Sequence, residues 1–327
     1  MFLKKFLTTL TVGILATTTL AAGKFGDEFY SNGVGARALA LGGAFVSFEG
    51  DVNSVFWNPS GIAKVRSFGV SVMHAEKFGG ELMFDHFSVL YPVSDFTFGF
   101  SYVRSSVDGI LDTRNGSVTR NSDGQITNID FTNISEFSDT DQLFNFAFGR
   151  EWNEKLAVGA NFKVIHRSIA EFSANGFGID VSGLYKIREN WRVGANLQNA
   201  TTTIVSWDKG ASKEYIRPLL KVGTSYDLMK NRNRFTFALD ADNRFEGRDY
   251  SSQVSLGALS LDFRIGVEYS FAELVFLRFG VDDVERLNFG AGFKIAKYFT
   301  VDYAVSEGGQ SENLGRAHRF SLNFLLN

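Results

Sequence analysis

The stretch Leu261-Asp262-Phe263-Arg264-Ile265-Gly266-Val267-Glu268-Tyr269-Ser270-Phe271 decides the fold. Every odd position is apolar and every even one is charged, polar or Gly. Successive side chains of a strand point to opposite faces, so this segment has one apolar and one polar face. The pattern recurs. In 176–188, Phe177, Ile179 and Val181 stand against Gly178, Asp180 and Ser182. In 190–200, Trp191, Val193, Ala195 and Leu197 stand against Arg192, Gly194, Asn196 and Gln198, and in 234–242, Phe235, Phe237 and Leu239 stand against Thr236, Ala238 and Asp240. These segments run to about ten to fourteen residues, whereas strands of soluble sheets run to about five or six. Tilted strands that cross a bilayer need about nine to eleven.

Counting such segments outward gives about fourteen strands, near 67–75, 82–92, 95–106, 140–151, 154–169, 176–188, 190–200, 217–228, 233–242, 258–271, 274–282, 286–295, 297–306 and 317–326. Short connections (near 92–95, 151–154, 188–190, 229–233, 271–274 and 295–297) alternate with longer ones (76–81, 107–139, 170–175, 200–217, 243–257, 282–286 and 306–317). Barrels of the outer membrane have short periplasmic turns and longer external loops. Only a closed barrel satisfies every backbone N–H and C=O of strands in lipid. The expected fold is therefore all-β: a transmembrane antiparallel β-barrel of about fourteen strands, with both ends in the periplasm and outer-membrane lipid as its surround. Tyr91, Trp152, Trp191, Tyr298 and Phe299 lie beside short turns, where interfacial aromatic girdles belong.

Composition agrees. The chain of 327 residues has 34 Phe, 33 Gly, 21% charged residues and a net charge of -3, which suits a surface facing lipid and gives no basic field for nucleic acid. It has no Cys, so disulfides and thiolate chemistry are excluded. Residues 1–22 read as a secretory signal peptide: Lys4 and Lys5, an apolar run over 6–20, then Ala21 and Ala22. The expected location is the bacterial outer membrane.

Nothing marks an enzyme. His74, His86, His166 and His318 are far apart and lack metal-ligand spacing. No catalytic, cofactor-binding or metal-ligating residues are assigned. In the 107–139 loop, Asn121, Asp123, Gly124, Ile126 and Asp130 fall at calcium-loop positions, but Thr119 occupies the first, where Asp is wanted. Asp123-Gly124 also signals a hairpin turn, the preferred reading. Lys163, Asp180, Lys221, Asp240, Arg264, Glu268 and Arg278 share the polar faces, as expected of a hydrated lumen braced by ion pairs of mixed sign.

Residues 23–66 do not alternate. They contain Asn32-Gly33-Val34-Gly35-Ala36-Arg37-Ala38-Leu39, Gly42-Gly43-Ala44-Phe45, and Trp57-Asn58-Pro59-Ser60-Gly61 after Asp51. Gly33-x-Gly35 lacks the third Gly and the βαβ setting of a dinucleotide site. Small residues and strong turn chemistry at 58–61 suggest a compact plug in the barrel mouth. This stretch, with Val301-Asp302-Tyr303-Ala304 and 314–322 near the C-terminus, resembles the PorV/PorQ family of FadL-like outer-membrane barrels. Over the mature chain the resemblance implies a fourteen-stranded barrel (67–327) closed by an N-terminal hatch (23–66). Asn58, Pro59, Ser60 and Gly61, with Trp57, Gly42 and Gly43, are then the expected hatch or gate residues. The resemblance further implies a role in protein export, type IX secretion-like, with exported cargo proteins or secretion components as partners. The alternative is a FadL-like channel for fatty acids or similar hydrophobic small molecules, and a further one is a structural or adhesive surface barrel.

Overall fold

The computed structural model describes residues 28–130, 132, 134–209, 213–245, 252–307 and 315–326. The expected signal peptide lies outside the described residues. Strands β1 (Gly69–Lys77), β2 (Leu82–Val93), β3 (Phe96–Asp112), β6 (Ser135–Glu151), β7 (Leu156–Ile169), β8 (Phe172–Arg188), β9 (Trp191–Gln198), β12 (Leu219–Lys230), β13 (Asn233–Arg244), β15 (Leu259–Phe271), β16 (Val275–Val281), β17 (Leu287–Ala296), β18 (Phe299–Ser306) and β19 (Ala317–Leu325) pair antiparallel in chain order. The last pairs with the first, Gly69 opposite Leu325 through Glu76 opposite His318, and closes a fourteen-stranded barrel. All fourteen sequence segments are strands of this wall.

Closure explains the alternation. Glu268 is wholly buried while Ile265 is 52% exposed, the inverse of a water-soluble sheet. The apolar face looks out to lipid and the polar face into the lumen. Tyr91, Trp152, Trp191 and Phe299 are exposed at the ends of strands, beside the short turns.

The outer side is more elaborate than the sequence indicates. Strands β3 and β6 continue to Asp112 and from Ser135, so the 107–139 region is largely a tall extension of the wall. Its tip is a small hairpin, β4 (Ser117–Arg120) with β5 (Ile126–Asp130). There Asn121 Oδ1 accepts backbone N–H bonds from Asp123 and Gln125, which is turn geometry. The expected long connection at 170–175 is a tight turn instead: Ile169 pairs with Phe172, and Ala170 takes a left-handed φ of 49°. Phe172, Ser173 and Ala174 continue the strand because the tall β7 offers them backbone partners. Strand β9 stops at Gln198, and the hairpin β10 (Thr203–Trp207) with β11 (Lys213–Ile216) covers the upper part of β8 above it.

The polypeptide from Val34 to Val65 is buried almost throughout and lies within the ring. Its short helices Ala36–Ala40 and Ser54–Trp57 and the 3-10 turn Pro59–Ile62 pack on inward faces of strands from opposite sides of the wall.

Candidate functional site: the lumen segment and the apolar cluster

Backbone fits against backbone here because the wall presents glycine inward. A Cβ added at Gly159 would stand 2.3 Å from the Ser60 nitrogen, and one at Gly194 2.2 Å from the Val46 oxygen. At Gly280 it would stand 2.2 Å from the Leu41 carbonyl carbon, and at Gly290 2.4 Å from Ala40 Cβ. The inward glycines form a socket for the segment. In the sequence they read simply as residues that tolerate a wet lumen.

Wall side chains then fix the segment's free backbone groups, which burial makes expensive to leave unpaired. Asp240 Oδ2 accepts the N–H groups of Phe45 and Val46 at 2.7 and 2.8 Å. Asn196 donates to the Trp57 carbonyl at 2.9 Å, and Ser321 Oγ accepts from Ala36 N at 2.8 Å. Arg37 reaches Glu268 of β15 at 2.7 Å and Asp51 of its own segment at 3.0 Å. Glu268 is shared with Arg278, which also holds Asp302 at 2.6 Å. Thus Glu268 and Arg278, which the sequence assigns to a hydrated lumen, belong to an ion-pair chain that ends on the segment.

The seven expected gate residues are all buried, but the ring separates them. Asn58 organises its own turn: Nδ2 donates to the Val46 carbonyl at 2.6 Å, and Oδ1 accepts the Ser60 backbone N–H at 3.0 Å. Pro59, Ser60 and Gly61 continue this turn, with Pro59 and Ser60 against Gly149 and Gly159 of β6 and β7. Gly42 and Gly43 lie on the other side, at Val281 and Arg264, with left-handed φ of 67° and 80° that an L side chain resists. Trp57 joins the halves. Its indole N–H donates to the Val34 carbonyl at 2.9 Å, and its ring lies against Gly43 and packs with Phe45 and Phe56.

Above Trp57 and Phe45 the inner wall turns apolar. Met73, Val103, Leu143 and Ile165 occupy one register row on β1, β3, β6 and β7, with His86 of β2 in the same row. They join Phe84 and Phe29 in one buried cluster with the lumen segment. The outward neighbours of this row are polar: His74, Asp85, Arg104, Gln142, His166 and Asn175 follow one another on six adjacent strands. The wall therefore inverts here, from apolar-out to apolar-in. At this level polar side chains face outward and a packed apolar cluster lies inside. Sequence reasoning missed this cluster because it assigned one polarity to each face of a strand along its whole length. The available signal was the run of outward polar residues near the outer ends of β1–β3 and β6–β8.

A closed, antiparallel, fourteen-stranded barrel of this kind is an outer-membrane β-barrel protein. Among solved structures its fold is similar to that of the Ralstonia pickettii toluene transporter TbuX, at 14% identity and a TM-score of 0.60 over 90% of this chain and 99% of that one. The Pseudomonas putida toluene transporter TodX follows at 14% identity and a TM-score of 0.57, over 90% and 96% of the two chains. A Pseudomonas aeruginosa FadL homologue aligns at 10% identity and a TM-score of 0.52, over 86% and 95%. These neighbours are FadL-type barrels, and at such identities the likeness is one of fold. The chain matches no protein-family model and no curated protein.

Proposed function

We propose that this protein is a non-enzymatic outer-membrane channel for hydrophobic small molecules, with residues 23–66 as its hatch. The observation that carries the reading is the inward apolar row of Met73, Val103, Leu143 and Ile165, which is buried in one cluster with Phe45 and Trp57 of the lumen segment. A hydrophobic solute gains roughly 25 cal/mol per Å² of apolar surface it removes from water there. The toluene-transporter neighbours support the same choice. Passage requires the segment to yield, and Trp57, Gly42 and Gly43 with 58–61 are the residues on which its present fit depends.

The test is accumulation of radiolabelled toluene and of a long-chain fatty acid by cells that lack their own FadL-type barrels and express this one. Faster accumulation of either, abolished by Leu143→Asp, is expected. Accumulation equal to that of empty-vector cells for both solutes would remove the channel reading.

The export role implied by the PorV/PorQ resemblance has one observation in its favour, the tall outer extension of β3 and β6 with its β4–β5 hairpin, which exposes Leu111, Val118 and Ile126. The structural neighbours add nothing to it. Mass spectrometry of the gently extracted native protein distinguishes the two: exported proteins that share a C-terminal domain favour export, and hydrophobic small molecules without protein cargo favour the channel.

A further inference from the structure

A cavity of about 320 Å³ opens at the end of the barrel away from the apolar cluster, between residues 50–52 of the lumen segment and the short-turn ends of β15–β19. Its chemistry is unlike that of the apolar cluster. Arg278 and Asp302 are its most buried charged groups, Arg37 and Asp51 border it, and its other charged lining residues are Arg234, Lys294, Lys297 and Glu273.

The charges do not balance. The carboxylates are already engaged: Asp51 by Arg37, and Asp302 by Arg278 and Asn323. Glu273 meets Arg234 only at 3.8 Å. On the cationic side, Arg234 Nε is buried and has no hydrogen-bond partner. Among the described residues Lys294 forms no ion pair, and Lys297 meets only the face of Tyr298, at 4.9 Å. Three cations therefore converge on one cavity with donor capacity left over. A buried guanidinium N–H without an acceptor is costly, and a charge-assisted bond to an oxyanion is the strongest way to satisfy it.

We infer that this cavity is a binding site for a small oxyanion, a carboxylate or phosphate group, which enters from the periplasmic side and is held by Arg234, Lys294 and Lys297. Its volume lies at the lower end of small-molecule pockets, about 300–1,000 Å³. The occupant lies beside Arg37 and Arg278, the two cations that share Glu268 and so tie the lumen segment to the wall. The site does not depend on the proposed channel function.

The experiment is isothermal titration of the detergent-solubilised full-length barrel with inorganic phosphate and, separately, with octanoate, at about 10 mM ionic strength so that screening is weak. One saturable site for at least one probe is expected, weakened about tenfold in Lys294→Ala and in Arg234→Ala, as loss of one charge-assisted bond implies, and retained in Lys294→Arg. Phosphate binding alone identifies a free oxyanion as the occupant, and tighter octanoate binding identifies a carboxylate that carries an apolar tail. Heat-modifiable migration checks that each variant folds, and the exposed Lys297→Ala substitutes for Arg234→Ala should that one not fold. Absence of saturation by both probes, or undiminished binding in the folded alanine variants, would overturn the assignment.

Discussion

Arg37 of the lumen segment grips Glu268 of the wall through two nitrogens, Nε at 2.9 Å and Nη2 at 2.7 Å. The two residues are 231 positions apart in the chain. A two-nitrogen guanidinium–carboxylate bond sets orientation as well as proximity. Arg37→Met should leave the barrel intact, because Glu268 keeps Arg278, but should release the segment near residues 36–48. Hydrogen bonds to charged groups contribute about 1.5–3 kcal/mol, and Arg37 is partly exposed, so a cost near the lower end is expected. Hydrogen–deuterium exchange of peptides covering 36–48 measures it. Unchanged protection would show that the glycine socket alone holds the segment.

The socket itself gives a second expectation. At Gly159 an added Cβ meets the Ser60 backbone 2.3 Å away, and no side-chain rotation relieves that contact. Gly159→Ala should therefore displace the 58–61 turn while the barrel still forms, and should raise ion conductance across planar bilayers. Gly183→Ala on β8 is the control, since its nearest contact would be an ordinary 3.8 Å. Equal conductance in the two variants would mean that the segment does not limit passage.

The inversion of wall polarity predicts a depth dependence. Phe146 is 50% exposed on the outer face of β6, four residues from Gln142 in the outward polar row. Arg at a lipid-facing midplane position costs roughly 2–4 kcal/mol and close to zero near the interface. Phe146→Arg should lower barrel stability by about the first amount and Gln142→Arg by close to none, as read from unfolding in lipid vesicles. Equal costs at the two sites would place the row inside the hydrocarbon.

The outer loops should respond to acid. Arg114 hydrogen-bonds Glu171 and holds its carboxyl below the usual Glu range, and the Ser173 backbone N–H does the same for Asp208. Because both folded pKa values are depressed, the ties contribute stability above the ordinary carboxylate pKa of about 4. That contribution is lost as pH falls through the lower folded values. Protease sensitivity of the β7–β8 tip should rise on acidification below about pH 4, and Arg114→Ala should show the higher sensitivity already at neutral pH.

Much of the wall was legible because strand alternation is local. Ile265 and Glu268 lie on opposite faces whatever the rest of the chain does, and segment length separates lipid-crossing strands from shorter ones. Near-universal placement of strand segments followed from that, including the short turns. The turn at Ala170 and the tall ends of β3 and β6 were not legible, because they continue only where a neighbouring strand offers backbone partners. The expected gate residues Asn58, Pro59, Ser60 and Gly61 stood out through turn chemistry. Their separation from Gly42 and Gly43 across the lumen did not.

From the sequence alone come the strand count, the outward apolar face and the lipid surround, since each depends on the order of side chains within about a dozen residues. Only the tertiary structure decided that Gly159 and Gly280 are sockets, that Arg37 meets Glu268, that the inner row from Met73 to Ile165 is part of a buried apolar cluster, and that Arg234 and Lys294 share a cavity. Those are contacts between residues made neighbours by ring closure, and no local period encodes which inward face meets which part of the enclosed segment.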